Sequence, residues 1–133
     1  MADVTIRRLD EFDSAFGGAM KLVRHGLGVE AFGLQVIDMP PNADQYPEHD
    51  HAGDGQEEVY LALRGSGEIE VGGERHALDP ETMVRVGPGV KRKLYAGSDG
   101  IRVLALGAYP DKTYEAPDMS KLGEPDPLAS QTA

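Results

Sequence analysis

The sequence predicts an all-β protein, a barrel or sandwich of antiparallel strands. Three observations carry this expectation. Glycine (17 residues) and proline (9 residues) cut the chain into short apolar stretches, the pattern of strands joined by tight turns. The stretches recur at the roughly 8–12-residue spacing of sandwiches and barrels. A polar cluster around His49 and His51 sits among them, and a polar interior face favours a barrel with a mouth over a solid sandwich.

The elements follow in order. Val4 to Leu9 alternates apolar and polar residues and predicts a first strand. In Glu11 to His25 the residues Phe12, Ala15, Phe16, Ala19, Leu22 and Val23 have partly helical spacing, which Gly17-Gly18 interrupts. That segment is expected to be a short helix or irregular. Ala31 to Asp38 is a strand, stopped by Met39-Pro40-Pro41-Asn42, and Tyr46 to His51 is another. Ala52 to Gly55 is a loop. Glu57 to Arg64 is strongly β-like and ends at Gly65. Ser66 to Val71 and Glu74 to Leu78 flank Gly72-Gly73, a pair suited to a two-residue hairpin turn that needs positive φ. Thr82 to Val86, Lys91 to Tyr95 and Ile101 to Ala108 complete the series. The organisation is thus an N-terminal strand and irregular arm over 1–30, a barrel over 31–108, and an extended arm over 109–133. That arm contains Pro110, Pro117, Pro125 and Pro127 and is expected to end in disorder near Leu128 to Ala133.

Composition narrows the functions. The 133 residues allow one core. No apolar run is long enough to span a bilayer, and the N-terminal residues lack the pattern of a secretory signal. The chain has no cysteine, which removes disulfides, thiolate ligands and thiol nucleophiles together. A cytoplasmic location is expected. A net charge of −10 repels nucleic acid and anionic lipid, so neither is an expected partner. The serines lie in turns or tails without a nucleophile elbow, and the glycine-rich segments lack a phosphate loop.

The chemistry concentrates between residues 47 and 67. His49 and His51 are two apart, so on a strand they share one face. Glu57-Glu58-Val59-Tyr60 follows. Only one of the two glutamates can point inward, and the alternation does not decide which, because Val59, Leu61 and Leu63 form the more apolar row. Imidazole and carboxylate on one side of a sheet are the material of a transition-metal site; a hydrogen-bonded polar pocket without metal uses the same residues.

His49-x-His51, then Glu58, then Gly65-x-Gly67 resembles the first motif of the cupin superfamily, with a longer gap before the glutamate. Asp79-Pro80-Glu81, the strand to Val86, and Gly87-Pro88-Gly89-Val90-Lys91-Arg92 resemble the second. Here the usual glycine near Glu81 is missing and the usual histidine is Arg92. The likeness covers about residues 31 to 108. It implies an antiparallel jelly-roll β-barrel, with Glu58 as the inward glutamate. It also implies a divalent transition metal (Fe, Mn, Ni or Zn) on His49, His51 and Glu58. Arg92 departs from that pattern, because a guanidinium neither ligates nor loses its proton. A cation there opposes a metal, competes for Glu58, or binds an anionic ligand directly. The resulting expectation is a homodimeric barrel that binds a small, anionic molecule, with Tyr60 and Arg92 as substrate-binding residues, with or without a metal. The alternative is a metal-dependent oxygenase or isomerase using the two-histidine, one-carboxylate site.

Overall fold

A computed structural model describes residues 2–116. The elements are β1 (Ser14–Ala15), β2 (Met20–Lys21), α1 (Val23–Leu27), β3 (Gly33–Met39), β4 (Glu57–Val71), β5 (Glu74–Leu78), β6 (Met83–Val86) and β7 (Arg92–Ala108). All strand pairs are antiparallel, in the order β1-β2-β3-β7-β4-β5, with β6 also on β4. This is the all-β architecture expected, and the jelly-roll arrangement follows from the two long strands.

β4 and β7 pair along their whole lengths, Glu57 opposite Ala108 at one end and Val71 opposite Arg92 at the other. The register shifts at Ala62/Arg64 and again at Gly65/Gly67, so each strand bends and serves both sides of the barrel. The glycines permit this. Gly65 has φ +72°, and a side chain there would run into the Gly100 carbonyl. At Gly67 it would run into the Tyr95 carbonyl. The breaks read from the sequence at Gly65 and at 97–100 are therefore bulges within continuous strands. Gly72-Gly73, with φ +59° and +85°, turns the β4–β5 hairpin as expected.

The interior is packed by Ile37, Met39, Tyr60, Ala62, Ile69, Leu78, Val86, Leu94, Ile101, Val103 and Ala105. On β4 the inward row is thus Tyr60 and Ala62, and the more apolar row of Val59, Leu61 and Leu63 faces out. A second cluster, Phe12, Val23 and Val36 with Leu9, Leu27, Leu34 and Leu104, packs on the outer face of β3 and β7. Residues 9–27 form the lid of that cluster.

The N-terminal region departs from expectation. Residues 4–9 form no strand; Val4 and Ile6 are exposed, and Leu9–Glu11 is a single 3₁₀ turn. Alternation there lacks a partner edge, and a strand needs one to satisfy its backbone. The irregular segment contains the β1–β2 hairpin, turned by Phe16, Gly17 and Gly18 at positive φ, before α1. β2 pairs with β3, so the sheet extends beyond 31–108. Tyr46 to His51 makes an isolated bridge at His49 rather than a strand. Residues 109–116 fold back irregularly, with the Tyr114 hydroxyl close over Gly33. The remainder of the expected arm, with its disordered end, lies outside the described residues. Among the described residues no helix is long and apolar enough to cross a membrane.

Candidate metal centre

The two histidines come from a segment held against the start of β7. His49 N–H donates to the Arg92 carbonyl (3.0 Å) and Arg92 N–H to the His49 carbonyl (2.8 Å). His51 N–H donates to the Pro88 carbonyl (2.7 Å). These bonds give the two side chains the common direction that their spacing suggested. Their rings meet edge to face at 5.1 Å between centroids. Glu58, on β4 two residues before Tyr60, supplies the carboxylate. Glu57 faces the other way and pairs with Arg85 at 2.8 Å.

His49, His51 and Glu58 each offer a ligand atom within 4.8 Å of the others. His51 Nε2 is 3.0 Å and His49 Nε2 3.6 Å from Glu58 Oε1. Ligand atoms at about 2.1 Å from one transition metal stand roughly 3.0–3.4 Å apart, so the His51 separation suits a shared ion and the His49 separation is slightly longer than one requires. The outer nitrogens are engaged elsewhere. His49 Nδ1 lies 3.1 Å from the Pro47 carbonyl, and His51 Nδ1 lies 3.1 and 3.2 Å from the two Asp54 oxygens. Both partners only accept, so each ring carries its hydrogen on Nδ1 and turns a bare Nε2 lone pair toward Glu58. His51 Nε2 is buried and has no hydrogen-bond partner; its approach to Glu58 lacks the alignment of a hydrogen bond. Two nitrogen lone pairs and a carboxylate oxygen repel one another unless a cation stands between them. The residues fit a divalent metal. Without one, a proton on His51 serves, and the Glu58 carboxylate holds that imidazole above its ordinary pKa despite the opposing effect of burial.

The floor of the site is more polar than its burial suggests. Tyr60 and Arg92 have no solvent-accessible surface. The Tyr60 hydroxyl donates to Glu58 Oε1 at 2.6 Å. Arg92 Nη1 donates to the same oxygen at 3.4 Å, and Nη2 donates to the Gly87 carbonyl at 2.8 Å. Burial alone pushes the Glu58 carboxyl up, but in the metal-free site, where an imidazole presents a proton to it, the imidazoles and the Tyr60 hydroxyl outweigh burial and hold the group well below the usual carboxylate range. Tyr60 is pushed far up, first by burial and then by the charges of Tyr46 and Glu58. The mouth lies on the histidine side, where His49 is 31% and Glu58 14% exposed. Beside it the Tyr46 ring packs on the core, tilted by 52° to the His49 ring with centroids 5.6 Å apart.

The five residues singled out in the sequence therefore meet, with His49, His51 and Glu58 at the mouth and Tyr60 and Arg92 beneath. His25 and His76 are not in the cluster. Sequence reasoning missed Asp54, which lies in the 52–55 loop and orients His51. Its only signal was an acid three residues after a histidine, which carries little weight in so acidic a chain. An open groove of about 760 Å³ between Gly17, Pro41, Arg64 and Asp99 shares no residue with the cluster.

These features define a small antiparallel barrel with a histidine–carboxylate mouth. The model of the cupin domain matches residues 35–107, more than half of the sequence, and the chain belongs to that family. No curated protein matches it. A cupin protein from Bacteroides fragilis superposes with a TM-score of 0.68 at 20% identity, covering 93% of this chain and 99% of that one. A protein from Thermus thermophilus gives 0.59 at 21% identity over 78% and 96% of the two chains. The cupin domain of an XRE family transcriptional regulator from Enterobacter cloacae gives 0.51 at 24% identity over 62% and 86%. At these identities the likeness is one of fold, and a fold shared this widely assigns no reaction.

Proposed function

We propose that the barrel holds a divalent transition metal on His49 Nε2, His51 Nε2 and Glu58 Oε1 and binds a small anionic molecule at the mouth. The observation that supports this most is the pair of Nε2 atoms, each ring fixed by an acceptor at its other nitrogen and both turned on one carboxylate oxygen. A bound divalent ion polarises an oxygen of its ligand and fixes the ligand's orientation. The chain's own residues do the rest. Pro47 and Asp54 keep the imidazoles in the ligating tautomer. Tyr60 and Arg92 hold Glu58 from below.

A second reading has a specific observation of its own. Arg92 on Glu58 favours a metal-free pocket in which His51 carries the proton. Elemental analysis of untagged, chelator-free protein separates the two, followed by titration of the stripped protein with Co²⁺. Near-stoichiometric metal, lost in His49→Ala and His51→Ala, is expected. Failure of the stripped protein to bind Co²⁺ at millimolar concentration, with or without a small carboxylate present, sinks the metal reading.

A further inference from the structure

The charge around the cluster does not balance once a metal is in place. Among the described residues, the charged side chains in contact with the ligand residues are Glu58 itself, Asp54 on His51, and Arg92 on Glu58. With neutral imidazoles they sum to −1, so a divalent ion leaves the loaded site at +1. Without Arg92 the sum is −2 and the loaded site is neutral. Arg92 cannot escape this role. Its guanidinium keeps its proton at any accessible pH and cannot serve as a ligand. It is fully buried, where water does not screen it. It is also held in place: it is the bridge partner of His49, which sets the two side chains next to each other on one face, and Nη2 is tied to the Gly87 carbonyl.

The mouth is the open side of the site, so the missing negative charge enters there, with the ligand. Three protein ligands leave positions that a chelating ligand fills with two oxygens. Resting on the metal reading above, we infer that Arg92 makes metal retention conditional on an anionic co-ligand. The metal and a small chelating carboxylate bind cooperatively, and the coupling resides in Arg92. Arg92 is thus a positioning and charge-setting residue. It offsets the negative charge of Glu58, so that the metal alone is held weakly and the metal–carboxylate pair is held well. Linkage makes the effect reciprocal: the metal tightens the carboxylate by the same factor.

The test titrates stripped full-length protein with Co²⁺, followed by visible absorption and run at buffered free metal. Titrations are run alone, with glycolate, and with glycolamide, the neutral analogue of the same shape. The natural chain, Arg92→Met and Arg92→His are compared, with thermal melts to establish that each folds. In the natural chain glycolate is expected to tighten Co²⁺ by about tenfold or more, and glycolamide by less than about twofold. In both variants Co²⁺ alone binds about tenfold tighter, and the glycolate effect falls below about threefold. Equal tightening by glycolate and glycolamide in the natural chain overturns the inference without any variant. So does a glycolate effect that survives in folded Arg92→Met or Arg92→His. No Co²⁺ binding by the natural chain or either folded variant, with or without glycolate, fails the metal reading instead.

Discussion

Removing one hydroxyl tests how the floor of the site is built. In Tyr60→Phe the ring remains and fills the same space, so no cavity term enters. What is lost is the 2.6 Å hydrogen bond to Glu58 Oε1. Both partners are largely buried, Tyr60 fully. A hydrogen bond to a charged group contributes about 1.5–3 kcal/mol, and the short distance places this one near the middle, about 2 kcal/mol. For a domain of this size that corresponds to roughly 6–10 °C in melting temperature. The pH dependence distinguishes this bond from ordinary packing. The Glu58 carboxyl is depressed in the folded protein from an ordinary value of 4.5. Its stabilising contribution is therefore present in full above about pH 4.5 and is lost as pH falls through the folded value. Tyr60→Phe weakens that depression, so the gap between the two proteins should hold constant through pH 4.5 and narrow only as pH falls through the variant's own folded value, which lies between that of the natural protein and 4.5. The assay is urea unfolding of chelator-treated protein followed by circular dichroism, in a series from neutral to acid pH. The midpoint should move and the slope should not. A loss under about 0.5 kcal/mol at neutral pH, or a loss that does not change with pH, would refute the claim that Tyr60 serves the charged Glu58.

Three further outcomes are expected. Gly67→Ala drives a methyl group into the Tyr95 carbonyl across the strand pair and should cost about 3 kcal/mol; a melting temperature equal to that of the natural protein would contradict the bulge geometry. Asp54→Asn retains an acceptor for the Gln56 N–H but removes the carboxylate behind His51. It should weaken Co²⁺ binding by about 10–100-fold with little change in melting temperature, and unchanged Co²⁺ affinity would remove Asp54 from the site. Leu63 and Met83 lie exposed on the outer row of β4 and β6, and we propose that a second copy covers them. Light scattering should then give about twice the 14.3 kDa chain mass, and the mass should fall toward that of one chain in Leu63→Glu.

The site shows why part of this protein is readable in one dimension. Two histidines two residues apart share a face on any extended backbone, so their alignment needs no knowledge of the rest of the chain. Gly72-Gly73 announces its turn because only glycine adopts such φ angles at no cost. The choice between Glu57 and Glu58 was different. Alternation restricted it to one of two, but the apolar row of Val59, Leu61 and Leu63 pointed to the wrong face. The structure puts Tyr60 inside because its hydroxyl finds Glu58, and that pairing makes a tyrosine acceptable in the core.

Other features belonged to the tertiary structure from the start. Whether β4 ends at Gly65 or bends through it depends on β7, which lies far along the chain and offers the carbonyls that only a glycine can approach. Whether Val4 to Leu9 becomes a strand depends on pairing with an edge, and among the described residues it pairs with none. Asp54 acquires a role only because His51 turns its outer nitrogen toward it. Arg92 sits 34 residues from Glu58, and its meaning comes from the carboxylate it faces. Local sequence determines which way a side chain points, because backbone sterics act between neighbours. It does not determine what the side chain meets, because burial, charge pairing and strand continuity are set by residues brought together only when the barrel closes.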